Sequence, residues 1–386
     1  MQPDPPASFL SLPHELREAV VAHLHTPAQL LSLALTCRRL CLLVIPDYLH
    51  YCRIRTFICA EELWDHLIAS PVLARNVKEV ILCRRDYRIP KGFHIDDSAC
   101  RRRQELYHEG MLQLAEALNH MPNLRSFQFP PGVRGKNDEV WEALAESCPN
   151  LRELVVWDWC PSDFEFRPIY ESKMFDLQNL TVFKLYNAAY AGSIVAPPTH
   201  RLRHFLLNCP NLEELVILFQ FVDRRITTPL DSVFDSVDWP RLRSLELSYV
   251  SCGADIASRF FRRHPSIEKI HLFDDFYDRV DMTFVEQSTL PRLKTFHGTV
   301  ASLKALATAG SPLQDVTIRW VLLNQDIVLT LVEKFEAIKL EERKNDPDYW
   351  MIRIFESVPR VVLTDGSARV RAQMSSGRFS FQWETI

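Results

Sequence analysis

At 386 residues, 47% hydrophobic and 24% charged, the chain has room for two or three domains or one extended array. Its 49 acidic and 45 basic side chains leave a formal charge of −4 at pH 7, without the basic excess that wholesale phosphate neutralisation needs, which argues against a dedicated nucleic-acid binder. Ten glycines, 24 prolines and 11% aromatics argue against collagen-like or low-complexity material.

The start MQPDPPASFL has no basic cluster and no long apolar run, so no secretory signal is read there. Residues 1–8 read as a disordered tail. The uncharged stretch from Ala19 to Cys37 is interrupted by His23, His25, Thr26, Pro27 and Gln29, which breaks the apolar run a membrane span needs. The ten cysteines contain no CxxC pair and read as reduced, mostly buried thiols. A cytoplasmic or nuclear protein, with neither membrane nor nucleic acid as partner, is expected.

Residues 9–55 form a leucine-rich block. Leu12, Leu16, Val20 and Leu24 recur every four residues, one stripe of a helix that Pro13 suits at its first turn. A break at Thr26 and Pro27 precedes a second apolar run, Leu30 to Leu35. Thr36 stands where a cap would open a third helix, from Arg38 to about Tyr48. Three short helices bury little surface alone, so this block is expected to lean on something else.

From residue 56 to 386 a repeat takes over. MPNLRSFQF, CPNLRELVV, LQNLTVFKL, CPNLEELVI, WPRLRSLEL, HPSIEKIHL and LPRLKTFHG share a spacing of apolar residues led by Leu124, Leu151, Leu180, Leu212, Leu242, Ile267 and Leu293. The leaders are 27, 29, 32, 30, 25 and 26 residues apart. A weaker copy holds Leu313, Val316 and Ile318, and an earlier one Val77, Val80 and Leu82. Helices are predicted over Met111 to His120, Trp141 to Cys148, Arg201 to Cys209, Asp255 to His264 and Ala301 to Ala309. Most of these run into a proline or turn that launches a strand. Strands that each follow a helix in the same sense should stack in parallel through right-handed crossovers. The segment from 56 to 82 and the amphipathic Val328 to Arg343 are expected to cap the array. The last 30 residues alternate like a strand without an assigned place.

The block FLSLPHELREAVVAHLHTPAQLLSLALTCRRLCLL resembles an F-box. It has the LPxEL start at Leu12, Pro13, Glu15 and Leu16, the apolar Val20 and Leu24, the run Leu30, Leu33 and Leu35, and Cys37 followed by two basic residues. It departs from the pattern in a longer loop at His25 to Gln29 and in Leu40, where tryptophan is common. The remainder is similar to the irregular leucine-rich repeats of F-box proteins. Where those repeats favour Asn or Cys, this chain has Gly132, Cys160, Gln220, Val250 and Asp275, so irregular loops and an uneven arc are expected.

The resemblance implies an α+β/α-β solenoid: a three-helix F-box, then an irregular leucine-rich-repeat-like horseshoe with a parallel sheet and helices on its convex side. It also implies a non-catalytic adaptor, needing no cofactor. In that role the F-box docks on the Skp adaptor of an SCF-type cullin-RING ubiquitin ligase while the repeats hold a protein target. Leu12, Pro13, Leu16, Val20, Leu24, Leu30 and Leu33 would carry the Skp contact, shared with the block's own core. A Skp-bound scaffold without degradative role, and a ligand-sensing repeat domain, are the alternatives.

Strand alternation turns the variable positions away from the core. Gln128, Glu153, Val155, Lys184, Glu214, Glu246, Lys269, His271 and His297 are therefore expected on the concave, target-facing side. The mixture has no basic stripe for phosphate and no aromatic ladder for bases or sugars. Trp157, Trp159, Tyr186, Tyr190, Phe219, Phe221, Phe273 and Phe276 are placed in the following turns, as rim anchors or as loop packing.

Other signals are bland. GVRGKND at 132–138 lacks the GxxxxGK[ST] spacing and hydroxyl of a phosphate loop and reads as a turn. Arg101 to Arg103, with Arg84 and Arg85 upstream, sit among acidic residues and read as a solvated insertion loop. No HExxH or GxSxG occurs, and Cys37 and Cys41, one helical turn apart, have no second close pair to complete a metal site. Asn179-Leu180-Thr181 fits a glycosylation acceptor but enters a predicted core strand.

Overall fold

The computed structural model describes residues 9–24, 27–45, 49, 51–83, 97–130, 138–158, 169–187, 199–219, 227–272, 280, 282, 285–286, 289–319, 360–364, 368–375 and 378–385. The chain forms two compact units, Met1–Gln128 with Glu139–Leu151, and Phe129–Asp138 with Arg152–Ile386. Both are α/β, with parallel strands separated by helices.

The first unit opens with α1 (His14–Ala22), α2 (Pro27–Ala34) and α3 (Arg38–Val44). Val21, Leu30, Ala34, Leu40, Leu43 and Val44 close a small core, with Phe9, Leu10, Leu24, Leu33 and Cys37 packed at its margin. Thr36 does not cap α3, as its position had suggested. Its hydroxyl donates instead to the Leu33 carbonyl at 2.7 Å, finishing α2, and Cys37 stands at the N-cap of α3 without a side-chain cap.

There follow β1 (Arg53–Phe57), α4 (Glu61–Ala69), α5 (Pro71–Ala74), β2 (Glu79–Cys83), α6 (Asp97–Leu118), β3 (Ser126–Phe129) and α7 (Glu139–Ser147). Strands β1, β2 and β3 pair in parallel in that order. The early repeat copy is real: Val77, Val80 and Leu82 are buried, the last two in β2. Helix α6 begins well before Met111, so Arg101 to Arg103 belong to a helix rather than to the expected loop. An added Cβ at Gly110 would meet the Ile58 carbonyl oxygen at 2.8 Å, so glycine lets α6 approach this backbone. The same carbonyl accepts the Trp64 indole N–H at 2.7 Å.

The second unit holds β4 (Glu153–Asp158), β5 (Val182–Asn187), α8 (Thr199–Leu207), β6 (Glu214–Phe219), β7 (Thr228–Pro229), α9 (Asp231–Ser236), β8 (Ser244–Ser248), β9 (Val250–Ser251), α10 (Ala254–Arg263) and β10 (Lys269–Leu272). It continues with β11 (Thr295–Gly298), α11 (Val300–Thr308), β12 (Asp315–Arg319), β13 (Arg360–Thr364), β14 (Ala368–Ser375) and β15 (Arg378–Thr385). Its main sheet runs β4-β5-β6-β8-β10-β11-β12-β13-β14-β15. Neighbours are parallel as far as β13, after which β13, β14 and β15 form an antiparallel meander. The unplaced C-terminal alternation thus becomes the last strands of the sheet. The predicted cap from Val328 to Arg343 lies outside the described residues, as do Gly132, Cys160, Gln220 and Asp275; Val250 falls in the short β9.

The repeat owes its register to its turn. In Cys209-Pro210-Asn211-Leu212 the Leu212 amide donates to the Cys209 carbonyl at 3.3 Å, and Trp239 to Leu242 and His264 to Ile267 close likewise at 3.0 and 3.3 Å. Proline takes the second position, where its fixed φ suits a β-turn. The residue after each leading apolar then offers one carbonyl to two amides of the next repeat. Arg152 accepts from Thr181 and Val182 at 2.8 and 3.0 Å, and Arg243 from Glu268 and Lys269 at 2.8 and 2.9 Å. In consequence Leu154, Phe183, Leu215, Leu245, Ile270, Phe296 and Val316 stand side by side across the sheet. All seven are buried. Phe205 of α8 meets this row edge-on, 4.6 Å from the Phe183 ring centre.

Candidate functional site

The apolar stripe that starts at Leu12, just before α1, and runs along that helix faces outward. Leu12, Leu16 and Val20 are 36, 53 and 46% exposed, and Val21, one position on, fills the core instead. Pro13 is exposed as well. Leu24 and Leu33 are half-buried at the core margin, and Leu30 is inside, 7% exposed. The seven residues assigned to partner contact therefore divide into four outward, two marginal and one internal. Sequence reasoning missed three more outward side chains, Leu31, Leu35 and Leu42, at 45, 75 and 67% exposure. Leu35, in the turn just past α2, donates its amide to the carbonyl of Leu31 inside the helix at 2.9 Å, four residues back. Only their spacing away from the core positions Leu30 and Ala34 hinted at this.

Single exposed leucines are ordinary, but six large apolar side chains exposed between residues 12 and 42 are not. At about 25 cal/mol per Å² of apolar area covered, burying what remains exposed would gain on the order of 1 kcal/mol each.

The second surface is the sheet face opposite the buried row. Strand pairing aligns Glu153, Val182, Glu214, Ser244, Lys269, Thr295 and Asp315 in one line. Val155, Lys184, Val216, Glu246, His271, His297 and Thr317 form the next. Eight of the nine predicted target-facing residues stand on these two lines. The ninth, Gln128, is on β3 of the first unit, in register with Ile81. Val155 is nearly buried at 9% exposure, so it contributes little accessible surface.

Both lysines on this face are paired. Lys184 Nζ lies 2.9 Å from Glu214 Oε1. Burial alone would lower the lysine's pKa, but the hydrogen bond and charge of Glu214, helped by Tyr186 and Glu153, outweigh it and raise the pKa. Lys269 donates to Glu246, and His271 Nδ1 is 3.4 Å from the same carboxylate oxygen. Burial, then the Lys269 charge, pushes His271 down to about 4, so it is neutral at pH 7. Its ring centre is 5.4 Å from that of His297.

Beyond these lines Trp157 and Tyr186, neighbours on β4 and β5, stack with ring centres 3.8 Å apart and planes 9° from parallel. Both lie within strands rather than in the following turns. Burial pushes the Tyr186 phenol up. Phe219 is buried at the end of β6 and packs. Trp159, Tyr190, Phe221, Phe273 and Phe276 lie outside the described residues.

Among the described residues no three His, Cys, Asp or Glu side chains gather closely enough to hold a metal ion, and no helix is long and apolar enough to cross a membrane. No protein-family model and no curated protein sequence matches the chain.

Proposed function

We propose that the chain is a non-catalytic, substrate-recruiting adaptor of an SCF-type cullin-RING ubiquitin ligase. In this reading α1 to α3 are an F-box that docks on the Skp adaptor, and through it on a cullin. The strands that follow are an irregular leucine-rich-repeat array that holds a protein target on the face bearing Glu153, Lys184, Glu214, Glu246, Lys269, His271 and His297. The observation that carries the reading is the outward stand of Leu12, Leu16 and Val20 over a core too small to be comfortable alone. These are the positions at which the F-box resemblance puts the partner contact. The chain's own part in ubiquitin transfer is proximity: a target held near a ubiquitin-loaded conjugating enzyme reacts at raised effective concentration.

Co-expression with the Skp adaptor, followed by size-exclusion chromatography and mass spectrometry of co-eluting species, tests this. A stoichiometric complex is expected. A protein that elutes alone and folded would remove the adaptor reading. A Skp-bound scaffold without degradative role would give the same complex but leave the turnover of bound targets unchanged.

A further inference from the structure

The sheet face of the second unit changes character along its length. On β8, β10 and β11 its two lines are polar, with Ser244, Glu246, Lys269, His271, Thr295 and His297. On β4, β5 and β6 they carry Val155, Val182 and Val216 among the charges, and one step further along the strands Trp157, Tyr186 and Leu218 stand in register. These three are half-buried, so the stacked rings of Trp157 and Tyr186, with Leu218 beside them, form an apolar ledge in reach of solvent on the side away from the buried row. Aromatic rings held in this way lose little freedom on binding and are common interface anchors.

At the other end of β4 stands an unmatched charge. From β4 to β10 the face carries Glu153, Glu214 and Glu246 against Lys184 and Lys269. Lys184 Nζ is committed to Glu214 at 2.9 Å, and Lys269 to Glu246. Glu153, half-buried, forms no ion pair among the described residues. It lies on the same side of β4 as Trp157 because four residues separate them, which at about 3.3 Å per residue sets carboxylate and rings about 13 Å apart. Val155, midway between them, is 9% exposed, and Val216 on β6 is 1% exposed, so the ground from the charge to the rings is nearly dry.

We propose that β4 and β5 dock an extended segment of the protein target in which a basic residue, best an arginine, and a large apolar residue stand four positions apart. The basic residue pairs with Glu153, the apolar side chain rests on Trp157, Tyr186 and Leu218, and the chain between them passes over Val155, Val182 and Lys184. An extended segment has the rise of the strand it lies along, so in it too residues four apart point one way and span the same distance. Arginine fits the first position better than lysine, since its planar fork pairs a carboxylate through two parallel hydrogen bonds. Charge complementarity sets the sign, because an acidic residue at that end would meet a carboxylate with no cation between. The proposal deepens the adaptor reading, on which the word target rests, but neither anchor depends on the Skp contact.

The test uses the full chain, alone and with the Skp adaptor, and pools of short fluorescent peptides degenerate except at two positions. Phenylalanine and arginine are fixed four apart in either order, or three apart, or four apart with glutamate in place of arginine. Retention of the four-apart arginine pools over both others is expected, since residues three apart on an extended chain point to opposite sides. Raised salt should weaken that retention. Glu153→Arg should cut it about tenfold or more and favour the glutamate pool instead. Trp157→Ala should lower it as well, with thermal melting followed to show that the second unit stays folded. Equal retention of the arginine and glutamate pools, equal retention at spacings of three and four, or a preference unmoved by Glu153→Arg overturns the proposal. A chain that fails to bind the Skp adaptor yet keeps the peptide selection would sink the adaptor reading alone.

Discussion

The Trp239 backbone amide donates to Nε2 of His264 across 2.9 Å, and the opposite ring nitrogen, Nδ1, lies 2.6 Å from the Phe260 carbonyl. Since Nε2 accepts, Nδ1 carries the hydrogen, and the ring joins two repeats only in its neutral form. The residue is fully buried, with the Phe260 and Trp239 rings tilted against it, at the pre-proline position that Cys148 and Cys209 fill elsewhere.

Acid should therefore loosen the second unit. Burial first, and the Arg263 charge after it, lowers the His264 pKa against opposing effects of the Phe260 hydrogen bond and Asp238. A depressed folded-state pKa means full stability above the unfolded value of about 6.5 and progressive loss as pH falls below it, with a limiting slope of about 1.4 kcal/mol per pH unit for one group. His271 adds in the same direction. Urea midpoints of the parent and His264→Leu, compared at pH 7.5 and 5.5, should show a smaller acid loss in the variant. Equal losses would remove the histidine from the account.

Leu16→Asp with Val20→Asp should leave melting almost unchanged, because exposed substitutions usually shift stability by about 0.5 kcal/mol or less. The same pair should abolish co-elution with the Skp adaptor. Val21→Asp, by contrast, puts a charge into the small helical core and should melt the three helices. Circular dichroism and gel filtration of the variants separate the outcomes, and melting by the outward pair would show that those residues are structural.

The thiols of Cys148 and Cys252 are pushed up to about 12 and that of Cys209 to about 11, burial being the largest cause in each. Since the thiolate is the nucleophile, all three should resist alkylation at pH 8 in the native protein and react once it is denatured. Mass-spectrometric mapping of modified cysteines reads this directly. Native labelling at Cys209 would mean that the second unit opens readily.

Phe183→Ala should cost the second unit about 3–5 kcal/mol, the usual range for removing a buried aromatic. Phe183 touches Phe205 and stands between Leu154 and Leu215 in the buried row, so the cavity has no ready filler. Phe183→Leu should cost less. Equal urea midpoints for parent and alanine variant would contradict the packing.

The repeating part of the fold was legible because each unit writes its turn chemically. In most units Pro-x-Leu marks where the chain reverses, and in all of them the next apolar residues mark the strand, so the line from Leu154 to Val316 can be drawn from sequence alone. Helices at 141–148, 201–209, 255–264 and 301–309 fall within two residues of α7, α8, α10 and α11. The short α9 escaped because its six residues, DSVFDS, carry too little periodicity, with only Val233 and Phe234 buried. Strand β1 escaped because RIRTF buries only Ile54. Whether Leu16 and Val20 point in or out could not be read from their spacing, since a helical stripe suits an internal core and an external partner equally well. Likewise the stacking of Trp157 on Tyr186 depends on strand register, which local sequence does not announce.

The doubly used carbonyls at Arg152, Thr181, Glu213, Arg243, Glu268 and Lys294 make the two edges of the second unit unequal under change of length. From the second turn position, proline in most units and Gln178 before Leu180, to the clamp the count is constant, and one inserted residue there would turn the side chains of the strand that follows to its opposite face. Between strand end and next helix the spacing already varies, as the uneven distances from leader to leader show. New sequence can enter at that edge without disturbing the register, so the array can gain or lose loops there while its turn edge keeps its spacing.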